Sequence, residues 1–149
     1  MKKKGVALSF WIIGMLLSAC SEKPGSQEPA ASEEAARWYS AEQVFQGEQL
    51  YRKHCLECHL PEAQGTKDWR TPLSDGSYPP PPLDGSAHAW HHPLPALLHT
   101  ITEGGRPFGG KMPPFGAELG NEEKLAVVAY FQQFWPDDIY RRWEALHKK

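Results

Sequence analysis

The chain has 149 residues with a formal charge of −2, 40% hydrophobic and 23% charged. That length favours one domain. Without Lys2, Lys3 and Lys4 the count falls from 16 to 13 basic residues against 18 acidic ones, a net −5, which leaves no electrostatic basis for binding nucleic acid.

Residues 1–19 read as an export signal. Lys2, Lys3 and Lys4 precede an apolar run from Val6 to Leu17, which is short for a membrane span. The stretch "LSAC" that follows resembles a bacterial lipobox. The resemblance implies a lipoprotein signal peptide cleaved before Cys20, with Cys20 as the lipid attachment site and membrane anchor. Residues 20–37 then form the expected tether. "SEKPGSQEPAASEEAA" has no bulky apolar side chain with which to offset chain entropy.

The folded part is expected from Trp38. Ser40 and Gln43 match a capping box, so a helix starts there and runs into His54 and Cys55. Val44, Phe45, Gly47, Leu50 and Tyr51 recur at helical spacing. Gly47 on that face suits the close approach of another backbone or ring. Residues 60–93 show no long periodic segment, and the four prolines of "YPPPPLDG" require extended or turning chain. A short helix is predicted from Leu94 to Glu103, ended by Gly104 and Gly105. "RPFGGKMPPFG" reads as loop. Asn121 reads as the N-cap of a helix reaching Trp135, with Glu122 and Glu123 in its first turn. Pro136 interrupts it, and a last helix carries Ile139, Tyr140, Trp143 and Leu146. Short helices with long loops are an awkward inventory for a compact domain unless something fills the middle.

The chemistry concentrates in "HCLECH", residues 54–59. Structural zinc wants four ligands, usually from two such pairs, and the histidines at 88, 91, 92 and 99 match no finger spacing. A redox dithiol belongs to a βαβ unit, which is missing from the pattern. A Cys55–Cys58 disulfide would leave His59 unexplained. Haem c uses all three residues: each thiol adds to one vinyl group, and the imidazole binds iron. An electron carrier needs a sixth ligand. Met1 and Met15 go with the signal, which leaves Met112, in "GKMPPFG", as the thioether of the mature chain.

Helix, CxxCH, long loop, short helix ending in "GG", "MPPFG" and a helix with "AYF" together resemble a class I c-type cytochrome of the small bacterial type, over residues 38–135. The resemblance implies an all-α cytochrome c fold. Three to five short helices and long loops would wrap one covalently bound haem c. It implies attachment through Cys55 and Cys58, His59 as proximal ligand and Met112 as distal ligand. Pro81 or Pro82 would supply the carbonyl that accepts from the proximal imidazole, and Trp90 would approach a haem propionate. The domain would occupy residues 38–149, with an extension from about 136. The function implied is one-electron transfer, with no catalysis and no small-molecule substrate, between redox protein partners on the periplasmic side of a bacterial membrane. Lys111 and Arg106 flank the distal loop and could face an acidic partner. Alternatives are a haem subunit of a larger oxidoreductase and a sensor with a labile distal ligand. A metal-handling lipoprotein using His88, His91 and His92 is a third. His54 is expected at the surface.

Overall fold

A computed structural model describes residues 36–147. The signal and lipid readings, Cys20 included, lie outside the described residues. Five α-helices appear there: α1 (Ala41–His54), α2 (Leu56–His59), α3 (Leu94–Glu103), α4 (Asn121–Gln132) and α5 (Asp137–His147). Three 3-10 turns lie between them, and the described residues contain no strand, only an isolated parallel bridge between Tyr78 and Gly110. No helix among them is long and apolar enough to cross a membrane.

The start of α1 follows its sequence. Ser40 Oγ accepts from the Gln43 amide at 3.2 Å, and Gln43 Oε1 accepts from the Ser40 amide at 2.9 Å. Two orphan donors of the first turn are thereby satisfied. Helix α4 starts differently from expectation. Its cap is Gly120, whose amide donates to Glu123 Oε2 at 2.8 Å, and Asn121 is the first helical residue. The α4 helix also stops at Gln132, ahead of Trp135, and three turn-forming residues lead to Pro136.

Helices α1 and α4 form the main helix pair. Gly47 is buried at their crossing, and the Tyr51 and Tyr130 rings meet at 4.8 Å. Leu97 and Ile101 of α3 are buried in the same cluster, with Leu94 and Leu98 packed at its edge. Helix α5 is part of this core. Trp135 and Tyr140 are among the largest fully buried side chains, and Trp143 is buried beside them, whereas Leu146 stays exposed. The aromatic residues beyond α4 thus supply apolar interior that the short helices lack.

The chain just before α1 is fastened to α5, to the turn ahead of it and to the end of α4. Arg37 donates to Asp137 Oδ1 at 2.6 Å and to the Trp135 carbonyl at 3.1 Å, and its guanidinium lies 4.1 Å from the Tyr140 ring centre. The Trp38 amide donates to Tyr140 Oη at 2.9 Å, and its indole N–H donates to Gln132 Oε1 at 2.6 Å.

Candidate functional site

Helix α2 is one turn long and carries Cys58 and His59, with Cys55 at its N-terminal end. The Cys58 and His59 amides both reach the Cys55 carbonyl, at 3.2 and 2.9 Å, so one tight turn presents all three side chains. Both thiols are free. Burial, and then the neighbouring Cys58, push the Cys55 thiol up to about 11. Burial thus disfavours the Cys55 thiolate, the form a redox thiol would need.

After His59 the backbone turns through left-handed angles at three residues that are not glycine: Leu60 (φ 62°), Glu62 (φ 54°) and Ala63 (φ 60°). Such angles cost energy and persist where surrounding contacts impose them. Those contacts are visible. Tyr51 Oη donates to the Leu60 carbonyl at 2.9 Å, and the Gly65 amide donates to the His59 carbonyl at 2.8 Å.

The turn then pairs with the proline loop. The Thr66 amide donates to Pro80 O at 2.8 Å, and the Leu83 amide donates to Ala63 O at 2.7 Å. Proline has no N–H, so residues 79–82 offer only acceptors. His59 uses one of them: its Nδ1 lies 3.1 Å from Pro81 O. Because a carbonyl only accepts, Nδ1 carries the proton and Nε2 keeps its lone pair. Burial pulls the imidazole below its ordinary value, against the Pro81 bond, which raises it. Nε2 forms no hydrogen bond among the described residues. Gly65, at φ 55°, has no room for a side chain because Pro81 and Pro82 lie against it.

Met112 sits on a loop tied to α3 and to the glycine pair that follows it. The Gly105 amide donates to Met112 O at 2.9 Å, and the Phe115 amide donates to Ile101 O at 3.0 Å. A Cβ on Gly104 would lie 2.6 Å from the Met112 carbonyl, and one on Gly105 would lie 3.1 Å from Met112 Cβ. The paired glycines that end α3 therefore also seat the methionine. Met112 and Cys55 both pack against the one hydrophobic cluster, and the Met112 sulfur makes no hydrogen bond among the described residues. The Tyr78 amide closes the loop from outside, donating to Gly109 O at 2.9 Å, and Lys111 pairs with Asp75. Arg106 makes no ion pair among the described residues.

The other expectations fare differently. His54 is not at the surface: its side chain is 13% exposed, packs edge-on against Phe115 and lies 3.6 Å from Glu118. Trp90 is half-buried with its ring against His91. His88 stacks on Trp69 at 4.7 Å and meets His92 edge-on at 5.3 Å. No three-residue group of His, Cys, Asp or Glu suited to a metal ion exists among the described residues.

The donor set fits a haem c. Two free thiols share a turn with an imidazole whose tautomer leaves Nε2 open, and the only described thioether is seated in the same core. The family described as cytochrome c oxidase, cbb3-type, subunit III matches residues 42–131. The chain belongs to that family. It is a c-type cytochrome, a haem-binding electron-transfer protein acting as a carrier or a subunit. No curated protein and no solved structure matches the chain. In this cytochrome, the tertiary contacts of Arg37, Trp38 and Trp135 have no signal in the sequence. Their hydrogen bonds join residues 94 or more apart for the first two and 52 apart for the last.

Proposed function

We propose that this cytochrome is a monohaem electron carrier of the small class I type, serving membrane-bound or periplasmic redox partners. Cys55 and Cys58 hold the haem by thioether bonds. His59 binds iron through Nε2 and Met112 through its sulfur. The observation that carries this reading is the His59 Nδ1–Pro81 bond, which fixes the tautomer that iron ligation needs. A bound haem would supply one-electron redox chemistry. His59 and Met112 would hold its iron, and the neutral thioether would favour the ferrous form and so raise the potential. Cys20, as a lipidated residue, would keep the domain on the periplasmic side of a membrane.

Absorption spectra of the mature protein from its native host test the ligands. We expect haem that survives denaturation and a sulfur-to-iron charge-transfer band in the ferric form. Met112→Ala should abolish that band and open the iron to carbon monoxide. A well-folded but colourless protein would overturn the reading, and an unchanged ferric spectrum in the variant would overturn the distal ligand. Cys20→Ser should move the protein to the soluble fraction; retention in membranes sinks the anchor.

A second reading is favoured by the family description itself, which names an oxidase subunit. Under it the protein is a haem subunit of a larger oxidoreductase. Gentle solubilisation separates the two: a carrier migrates alone, a subunit with its complex.

A further inference from the structure

We infer that Trp135 is a positioning residue for the His59 imidazole, acting through the proline loop. Trp135 lies beyond residues 42–131, the part matched by the family. Its indole N–H donates to the Leu83 carbonyl at 2.7 Å. Two residues earlier, Pro81 O accepts from His59 Nδ1.

The loop cannot hold itself. Four consecutive residues, Pro79 to Pro82, have no backbone donor, so outside groups must fix their carbonyls. Two ties come from the turn after His59: Thr66 to Pro80 O, and Leu83 to Ala63 O. Those ties move with the turn. The Trp135 bond comes from a different element and supplies a fixed external reference.

Trp135 is itself immobilised. It is 2% exposed, its carbonyl accepts from Arg37, and the Trp143 ring stands edge-on to it at 5.9 Å. Gly85, at φ 90°, brings the loop's next turn against it: a Cβ there would lie 3.2 Å from the Trp135 ring and 3.3 Å from Pro136. The brace is therefore a hydrogen bond plus a close steric seat.

The consequence reaches the iron. A hydrogen bond weakens steeply as its angle departs from linearity. A well-aligned Nδ1–H···O=C bond makes the imidazole more electron-rich and a more basic ligand. That favours ferric iron and lowers the potential. Loosening Pro81 should raise it. The inference rests on the reading of His59 as an iron ligand.

The test compares Trp135→Phe with Trp38→Phe in the haem-loaded protein. Each removes one indole donor; Trp38 donates to Gln132 Oε1 at 2.6 Å, away from Leu83. The expected result is a positive shift of potential in Trp135→Phe and none in Trp38→Phe. It should come with faster solvent exchange of the His59 Nδ1 proton and an unchanged sulfur-to-iron band. An unshifted potential in Trp135→Phe, or equal shifts in both variants, overturns the brace. Should Trp135→Phe fail to fold, the parent protein still decides. Its Trp135 indole proton and His59 Nδ1 proton should exchange at one common rate, as parts of one opening unit. A much faster indole proton overturns the inference. If the parent shows no histidine-ligated iron, the functional reading falls first and the brace with it.

Discussion

Gly47 and Ala126 touch backbone to backbone where α1 crosses α4. A Cβ on Gly47 would collide with the Ala126 carbonyl and lie 2.9 Å from Tyr130 Cβ. The collision is with backbone, which cannot swing aside. Gly47→Ala should destabilise the protein by about 3 kcal/mol, the upper part of the overpacking range. Chemical denaturation measures it; a loss under about 1 kcal/mol would mean the helices can separate at little cost.

Leu60 follows the proposed proximal histidine at φ 62° and ψ 169°, a region that only glycine occupies without strain. Leu60 is 42% exposed, so little packing opposes removal of its side chain. Leu60→Gly should raise stability by about 1 kcal/mol, with the Tyr51 hydrogen bond retained. Thermal melts of the two haem-loaded proteins decide this, and a lower melting temperature for the variant contradicts it.

Trp38→Phe tests the fastening ahead of α1. Gln132 is fully buried, and its Nε2 already lacks a partner. Removing the indole donor leaves Oε1 unsatisfied too. The expected loss is about 1–3 kcal/mol. A second substitution, Gln132→Leu, should recover part of it by removing the stranded amide.

Stability should fall as pH drops below about 6.5. Burial, and then His92, His91 and Arg70, lower the His88 imidazole from its ordinary 6.5. Its Nδ1 is buried without a partner. The unfolded chain therefore takes up this proton before the fold does, so stability present above that pH is lost as acid is added. His59 is lowered as well, but in the haem-loaded protein it is committed to iron in the proposed reading. His88→Phe keeps a ring against Trp69 and should flatten the dependence. An unchanged slope would place the acid sensitivity elsewhere.

Local signals in the sequence carried well into the structure. The Ser40–Gln43 box, the Leu94–Glu103 helix and the glycine pair that ends it all depend on neighbours within a few residues. The acceptor carbonyl could be narrowed to Pro81 or Pro82 but not chosen, because adjacent prolines share one composition and differ only in which carbonyl faces His59. His54 looked like a surface residue since nothing nearby in sequence announces Phe115 or Glu118. Asn121 was a plausible cap by residue type, yet Gly120 has the cap geometry and Glu123 satisfies its amide. Trp135 read only as the end of a helix, and Tyr140 and Trp143 as apolar residues of a helix past Pro136. Their indole and phenol contacts span long separations and leave no periodic trace.

Arg37 clasps α5 through a carboxylate and an aromatic face, and the turn ahead of it through the Trp135 carbonyl. Tension applied along the chain from the N-terminal side would thus be borne first by the last helix. The Cys55–His59 turn stands behind that clasp and behind the whole length of α1, sheltered from the load.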